Sequence, residues 1–387
     1  MRRYSQEEEE RIRAQRLARE WTRSGLLEAP QGARLTEELR VELRRTNPFL
    51  RAGLALFTGL IVAASVSLLI TLLDLRDDVS IGAISGVAAL ACIGLAEYLV
   101  YEFRCYRFGV EEALAVAAVV LLSIAGGELT SSFHFEPRGM PATVALLIGA
   151  AGGFELYHRF GFVYAACGSI VCAAAIPFQL DFSATTQRVL AAATIASALF
   201  VARSKRLKYR DDYPGDEYGT LQAAAWAGVY VVLNVQLTDW YKVDRVFYWC
   251  TYAVTWALPL AGLALGIRER DRVLIDVSLA LVLVSVLTNR AYLGSPQHAW
   301  DPCVLGVILM ATAFAIRRWL SNGPGGERHG FTPARLLDRD RAVLSAVGTA
   351  SGFVRPGATE RAPSRVEPAP SDFDGGRSGG GGASGSF

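Results

Sequence analysis

Residues Phe49–Leu73 read FLRAGLALFTGLIVAASVSLLITLL, an apolar run of twenty-five residues. A helix that crosses the hydrocarbon core of a bilayer needs about 20 such residues. The apolar part of a cleaved secretory signal has only about 7–15, and it follows a short basic segment rather than the highly charged residues 1–46 seen here. The run also ends in the acidic stretch DLRDD instead of a small-residue cleavage site. It therefore predicts a transmembrane helix that stays in the protein.

Apolar runs continue beyond this first one. The others span 81–101, 110–127, 142–157, 161–180, 185–203, 221–237, 246–266, 273–288 and 302–316. Backbone groups inside a bilayer must be satisfied internally, and runs of this length lack the alternation of barrel strands. The sequence thus predicts an all-α, polytopic transmembrane bundle of about ten spans. Several runs are short, so Arg188 or Arg203 is expected to extend outward to water.

Polar residues are concentrated at the two ends of the chain. Of 387 residues 52% are hydrophobic, and the net charge of +2 argues against a nucleic-acid partner. Three regions are predicted: a cytoplasmic segment with short helices over 1–46, a transmembrane bundle over 47–320, and a Gly/Pro/Ser-rich cytoplasmic tail over 321–387 that is disordered. The lipid bilayer is the expected surrounding, and the oligomeric state is left open.

Basic residues fix the predicted orientation, because they gather on the cytoplasmic side of a membrane. With a cytoplasmic N-terminus, the inner loops carry eleven lysines and arginines and the outer loops six. Both ends of the bundle are also rich in arginine. Ten spans place both termini in the cytoplasm, whereas an odd number would place one arginine-rich end outside.

The stretch Ala96–Val116, AEYLVYEFRCYRFGVEEALAV, places six charged residues between two apolar runs. It predicts a tight cytoplasmic hairpin. Gly109 suits a left-handed position at the turn. Glu111 and Glu112 suit the start of the next helix, where the helix dipole favours negative charge.

A related pattern follows in GGFELYHRFGFVYAACGSI, residues 152–170. Both stretches have a carboxylate late in a span, then aromatic residues, then Arg-Phe-Gly. The corresponding pairs are Glu97 with Glu155, Arg107 with Arg159, and Gly109 with Gly161. Either the pattern is an internal duplication, or short inner turns simply need these residue types.

Three acidic residues, Glu97, Glu155 and Asp276, lie within apolar runs near their cytoplasmic ends. Intramembrane carboxylates suggest a proton or cation step, but carboxylates this close to the interface more readily form ion pairs. Glu97 is expected to pair with Arg107 or Arg159. The candidate intramembrane polar or binding residues are Glu97, Arg107, Glu155, Arg159 and Asp276.

Three G-x-x-x-G pairs predict close helix approach. They are Gly82/Gly86, Gly149/Gly153 and Gly262/Gly266. The six cysteines have no metal-ligand spacing and are interpreted as small buried hydrophobes.

No catalytic residue, metal site or cofactor is predicted, because the chain lacks Walker, Rossmann, H-E-x-x-H and G-x-S-x-G motifs. His134 with Glu136 and His298 with Asp301 resemble acid–base pairs, but no nucleophile accompanies them. The sequence favours a non-catalytic, transporter-like or scaffold bundle, and a small-molecule or lipid substrate is left open as a partner. The alternative is a membrane-embedded enzyme acting on a lipid or polyprenyl-linked substrate. A polar cluster at mid-depth would favour transport, and one beside an interfacial groove would favour lipid chemistry.

The segment LAREWTRSGLLEAPQGARL, residues 17–35, resembles the opening of a family of predicted bacterial membrane proteins of unknown function. In that family a short helical pair precedes a stack of spans. The resemblance implies a bacterial inner-membrane location and brings no active site with it.

Overall fold

The computed structural model describes residues 4, 6–23, 27–44, 46–133, 139–208, 217–237, 243–269 and 271–294, with scattered positions from 306 to 323. The chain divides into two compact units, Met1–Asp301 and Pro302–Phe387. In the second unit the residues described between 306 and 321 are helical. From residue 324 onward the tail predicted to be disordered lies outside the described residues. Both histidine–carboxylate pairs of the outer loops also lie outside them.

Eleven α-helices account for most of the described part of the first unit. They are α1 Gln6–Arg23, α2 Ala29–Glu38, α3 Pro48–Leu72, α4 Asp78–Glu102, α5 Val110–Ser132, α6 Met140–Phe160, α7 Val163–Ala175, α8 Ala184–Lys208, α9 Glu217–Leu233, α10 Arg245–Glu269 and α11 Arg272–Leu293. A 3₁₀ turn, Ile176–Gln179, extends α7. Strands are absent from the described ranges, so the predicted all-α class is confirmed.

Seven of these helices are long and apolar enough to cross a membrane: α3, α4, α5, α6, α8, α10 and α11. Two further apolar helices are shorter, namely α7 with its 3₁₀ turn and the 17-residue α9. Together they match nine of the ten predicted runs, and most of the tenth lies outside the described residues. The protein is a multi-pass membrane protein, and the count of ten spans stays a prediction.

Lipid contact explains the exposed surface of α3. This helix has no buried residue, and side chains such as Phe57 and Leu60 are more than half exposed. A water-soluble protein rarely leaves an apolar patch of this size uncovered, whereas a bilayer solvates it.

Local signals set the helix ends. Asn47, Asp77 and Asp271 each cap a helix by accepting a hydrogen bond from a backbone N–H, those of Leu50, Ser80 and Leu274 respectively. Gly161 and Gly294 end α6 and α11 in the left-handed conformation that glycine adopts without strain.

Small residues line the contacts between the spans. The buried positions of α4 are Gly82, Ser85, Ala89, Cys92 and Ala96, a three- and four-residue spacing along one face. All three G-x-x-x-G pairs lie at such contacts, as predicted. A Cβ on Gly262 would come within 2.5 Å of Ser278 Oγ, and one on Gly153 within 2.8 Å of the Ala165 carbonyl oxygen. In a bilayer the hydrophobic effect does not drive helices together, because the lipid is as apolar as the side chains. Close packing of this kind therefore stabilises the contacts between the helices.

The N-terminal segment folds as the two predicted helices, α1 and α2. They touch where Gly32 faces Thr22, and Gln15 Nε2 donates to the Thr36 carbonyl at 3.2 Å. Tyr4 and Ile12 are buried together with Ala96, Leu114 and Phe160 of the spans. The segment therefore packs against the bundle.

One expectation about the short spans was wrong. Arg188, in the first turn of α8, does not extend outward to water but is 3% exposed, and its Nη1 donates to the Val232 carbonyl at 3.1 Å. It points inward because the end of α9 offers carbonyl groups that no longer have a helical partner.

Candidate functional site

The hairpin predicted within Ala96–Val116 consists of residues 103–109 in the structure. It joins α4 to α5 and pairs with the segment that follows α2. Arg44 N donates to the Arg104 carbonyl at 3.1 Å, and Tyr106 N donates to the Arg44 carbonyl at 3.0 Å. Arg104 and Arg107 both have a φ of 51°, an uncommon conformation for residues with a side chain. The hairpin is thus a tightly specified turn.

Gly109 ends this turn with a φ of 111°, which confirms the left-handed position predicted for it. A Cβ at this residue would lie 2.4 Å from the Arg51 carbonyl oxygen. The glycine is needed both for its conformation and for the approach of α3.

The first helix contacts the hairpin through its carboxylates. Arg104 Nη2 donates to Glu8 Oε1 at 2.6 Å, and Tyr106 Oη donates to the buried Glu9 Oε1 at 3.3 Å. The Tyr4 ring packs edge-on against Tyr106, with centroids 4.8 Å apart. We call the hairpin and these contacting side chains, with Arg51 and Glu112, the hairpin cluster.

Glu111 and Glu112 occupy the first turn of α5, as predicted, but they do more than complement the helix dipole. They are only 1% and 5% exposed. Glu111 Oε1 accepts from Phe108 N at 2.6 Å. Glu112 binds the Arg51 guanidinium through both of its oxygens, with Nε to Oε2 at 2.7 Å. This bidentate pair joins α3 to α5.

The structure brings two of the five predicted site residues together. Glu97 of α4 forms an ion pair with Arg159 of α6, one of its two predicted partners. Both side chains are about one-third exposed. The pair crosses from one Arg-Phe-Gly stretch to the other, so the corresponding carboxylates and arginines of the two stretches do not play equivalent parts.

The other three lie apart. Arg107 sits in the hairpin, with its guanidinium carbon 5.6 Å from the centroid of the Tyr106 ring. Glu155 lies on the exposed face of α6. Asp276 is exposed on α11 and lies 3.9 Å from Arg272 one turn away. Each carboxylate is therefore near an interface or on the surface.

A cavity of about 180 Å³ lies beside the Glu97 side chain. Its lining comes from the N-terminal segment, the linker after α2, the end of α4 and the hairpin: Tyr4, Glu8, Leu43, Glu97, Val100, Tyr101, Arg104 and Cys105. Burial, aided by the negative charge of Glu111, raises the pKa of the Cys105 thiol, which disfavours the nucleophilic thiolate. Burial and the nearby carboxylates likewise raise the pKa of Tyr4. The cavity is polar but has no activated nucleophile among its lining residues.

No group of three or more metal-ligating side chains occurs within the described ranges. The five cysteines described there are free thiols, of which Cys92 and Cys105 are buried.

A second charged group joins the ends of α8, α10 and α11. Arg203 Nη2 donates to Glu269 Oε1 at 2.8 Å, and Arg206 Nη1 donates to Asp271 Oδ2 at 2.5 Å. We call these four residues the ion network. Arg206 also donates to Gln222 Oε1 of α9 at 3.2 Å, so the network reaches the bundle interior.

From Gln222 a row of polar side chains runs along α9. Gln222, Trp226, Tyr230 and Asn234 are spaced by four residues and share one face of the helix. They face α10 and α11, whose buried positions include Thr251, Thr255, Ser278, Ser285, Thr288 and Tyr292. We call this uncharged face between the three helices the polar seam.

The centre of the seam is organised by Pro259 of α10. Proline has no N–H, so the Thr255 carbonyl lacks its usual helical donor. Ser285 Oγ of α11 donates to that carbonyl at 2.7 Å. Since the serine hydrogen is used there, Tyr230 Oη donates to Ser285 Oγ at 2.8 Å, and Asn234 Nδ2 donates to Tyr230 Oη at 3.1 Å. The result is a chain of donors from Asn234 to the proline break.

Tyrosines close the far end of the seam. Val235 N donates to Tyr292 Oη at 2.8 Å, and Tyr248 Oη donates to the Tyr292 carbonyl at 2.9 Å. Gln236 Nε2 donates to Tyr248 Oη at 2.8 Å. Ser285 lies 8 residues from the end of α11 and 13 from its start, which is about 12 Å and 20 Å. The seam is therefore polar well inside the membrane.

The seam was not predicted from the sequence. The four-residue spacing of polar groups along α9 was the signal that could have found it. The positions of Ser285 and Thr288 gave no such signal, because isolated serines and threonines are common in membrane helices.

No protein-family model matches the chain, and neither a characterised protein nor a solved structure was found to be similar to it.

Proposed function

We propose that the protein is a bacterial inner-membrane protein of about ten spans with both termini in the cytoplasm. The hairpin cluster and the ion network gather arginines at the connections α4–α5 and α10–α11, as the positive-inside rule expects for cytoplasmic ends. The resemblance of residues 17–35 to bacterial membrane proteins supports the same location. Reporter fusions should show Tyr106 and the C-terminus as cytoplasmic and Asp181 as periplasmic. A periplasmic C-terminus would contradict ten spans.

Within that membrane we propose a non-catalytic, transporter-like bundle whose path is the polar seam. The observation that carries this proposal is the row of hydroxyl and amide groups between α9, α10 and α11 at mid-depth. Polar groups are costly inside a bilayer and mark substrate pathways when they converge on a bundle interior. Pro259 adds a broken helical hydrogen bond at the same level, a feature of helices that bind substrates at the midplane.

The chemistry of the seam favours a small, uncharged polar solute. Its described side chains at mid-depth are hydroxyls, amides and aromatic rings, with no carboxylate or basic group to pair with an ion. In this conformation most of the groups bond to one another, so a solute passes only by exchanging its own hydrogen bonds for theirs. On this proposal, the conformation described is a closed state.

Osmotic swelling of proteoliposomes tests this proposal with glycerol and urea as probes. Vesicles that contain the protein should admit one of these solutes faster than protein-free vesicles. Ser285→Leu should abolish the difference by filling the seam, and the milder Tyr230→Phe should reduce it. The matched control is Ser197→Leu, at an exposed position of α8, which should leave the swelling rate unchanged.

Swelling no faster than in protein-free vesicles for either probe, with correctly folded protein, would favour a scaffold over a transporter. Equal effects of Ser285→Leu and Ser197→Leu would show that flux occurs elsewhere.

The second candidate is a membrane-embedded enzyme acting on a lipid or polyprenyl-linked substrate. The observation that favours it is the polar cavity beside Glu97, at the end of α4. Two features speak against it: Glu97 is engaged by Arg159, and the pKa of the Cys105 thiol is raised. Purified protein in vesicles that contain a polyprenyl phosphate should leave that lipid unmodified, and any turnover abolished by Glu97→Gln would revive this candidate.

A further inference from the structure

Two polar atoms in the seam have no hydrogen-bond partner among the described residues: Gln222 Nε2 and Ser278 Oγ. Both residues are 0% exposed. The orientation of the Gln222 amide is fixed, because Arg206 has only donors and bonds to Gln222 Oε1. The open group of Gln222 is therefore its N–H₂, which can only donate.

The register between α9 and α11 places these two residues at the same depth. Tyr230 bonds to Ser285 and Asn234 to Thr288, which are 55 and 54 residues apart. The numbers rise together, so the two helices run in parallel. The same offset sets Ser278 level with Ala223, immediately beside Gln222.

Ser278 also turns away from its own helix. Thr288 donates back to the carbonyl of Val284, as buried hydroxyls in helices usually do. Ser278 makes no such bond, and its Oγ points at α10, 2.5 Å from where a Cβ of Gly262 would stand. Ser278 Oγ thus faces α10 across the seam, and Gln222 lies on the face of α9 that lines the seam at the same depth.

We infer that Gln222 and Ser278 together bind one oxygen atom, which accepts from the Gln222 amide and shares a hydrogen bond with the Ser278 hydroxyl. Buried polar groups in membrane proteins are costly unless they are bonded, and a bridging oxygen satisfies both at once. The oxygen belongs either to an ordered water or to a hydroxyl group of a permeating solute. The second source rests on the proposed transport function, and the first does not.

This position is where the ion network gives way to the uncharged seam. Arg206 bonds to Asp271 on one side and to Gln222 on the other. A bound oxygen next to Gln222 extends the hydrogen bonds from the charged end toward Trp226 and the proline break.

The direction in which Ser278→Ala changes the melting temperature of the full-length protein tests this inference. If the hydroxyl holds an oxygen, its removal should lower the melting temperature by about 2–4 °C, the size expected for one net hydrogen bond in a domain of this kind. If the hydroxyl is simply unsatisfied, its removal should leave the melting temperature unchanged or raise it, which would overturn the proposal. Ser197→Ala, at an exposed serine, is the control.

A double-mutant cycle that combines Ser278→Ala with Gln222→Met tests whether the two residues share one ligand. A bridging oxygen couples the two residues, so the loss in the double variant should be smaller than the sum of the two single losses. Additive losses would contradict a shared ligand. Should Gln222→Met fail to fold, the sign for Ser278→Ala decides alone.

Glycerol distinguishes the two sources of the oxygen. A solute hydroxyl at this position predicts that added glycerol raises the melting temperature of the wild type more than that of Ser278→Ala, whereas a water predicts equal increases. A destabilising Ser278→Ala without any solute flux would retain the oxygen site as a water site and refute transport alone.

Discussion

The hairpin cluster and the polar seam both hold helices together, but with different chemistry. The hairpin cluster uses full charges, such as Arg51 with Glu112 and Arg104 with Glu8, near the ends of the spans. The seam uses hydroxyls, amides and, at mid-depth, the Thr255 carbonyl that Pro259 leaves without a helical donor. Charges are tolerated where water lies within a turn of helix, whereas deeper in the bilayer the polar groups are uncharged and mostly hydrogen-bond to one another. Depth, more than residue number, therefore determines which polar chemistry this bundle uses.

Disrupting the Arg51–Glu112 ion pair of the hairpin cluster should lower the stability of the protein most. Arg51→Met leaves Glu112, 5% exposed, without its cation. Removing one member of a buried pair costs about 3–5 kcal/mol, because the remaining charge stays buried and unpaired. Denaturation in one detergent should show this loss in the free energy of unfolding.

The control for Arg51→Met is Arg76→Met, whose partner Asp74 is on the surface. That change should cost about 0–1 kcal/mol. The double variant Arg51→Met/Glu112→Gln should be more stable than Arg51→Met alone. Equal losses for Arg51→Met and Arg76→Met would show that the buried pair is not a structural element.

The uncharged side is tested by Ser285→Ala, which leaves the Thr255 carbonyl without a donor. We expect a loss of about 1 kcal/mol in the free energy of unfolding, since hydrogen bonds between membrane helices contribute modestly. In a Pro259→Ala background the new N–H at residue 259 restores the helical donor, so Ser285→Ala should cost less there. An identical cost in both backgrounds would refute the link between the proline and the serine.

The Glu97–Arg159 pair is less buried than the Arg51–Glu112 pair, because both of its side chains are partly exposed. Glu97→Gln keeps a hydrogen-bond acceptor and should lower the melting temperature less than Glu97→Leu. Each variant should lose no more than about 1 kcal/mol of the free energy of unfolding. Glu102→Ala, at the exposed end of α4, should be nearly silent. Indistinguishable melting temperatures for all three variants would mean that this carboxylate does not stabilise the fold.

The smallest effect concerns the pH dependence of stability, and we test it at Cys105 of the hairpin cluster. The raised pKa of Cys105 means that the folded protein keeps its thiol proton at a pH where the unfolded chain loses it. Stability should therefore fall slightly as the pH rises above about 8.5, the usual thiol pKa. Melting curves between pH 8 and 9.5 should show a shallower fall for Cys105→Ala than for the wild type. A wild-type slope in Cys105→Ala would contradict the assignment.

Much of the architecture could be predicted from the sequence because it depends on local patterns. Run length indicated the spans, Gly109 the left-handed turn, and the G-x-x-x-G pairs the close contacts. The sequence predicted Arg107 or Arg159 as the partner of Glu97, because both arginines lie near the same end of the bundle as this carboxylate. These features need only residue type and spacing.

The parts that escaped prediction depend on which helices become neighbours. The seam forms because α9 lies beside α11, although these two helices are not consecutive in the chain. No residue pattern in either helix predicts that pairing. Arg188 was expected to reach outward because an arginine near a helix end usually does, but the inward carbonyl of Val232 was not visible in the sequence. Non-local pairing sets both outcomes.

The proline break also has a consequence for the order of biogenesis. Ser285 is synthesised 30 residues after Thr255, so during translation α10 emerges with one carbonyl that its own helix cannot satisfy. Alone in the bilayer, that helix carries the cost of an open acceptor until α11 arrives beside it. The two helices therefore gain stability only as a pair, and a ribosome that stalls between them should leave a nascent chain that the insertion machinery or a quality-control protease can still recognise.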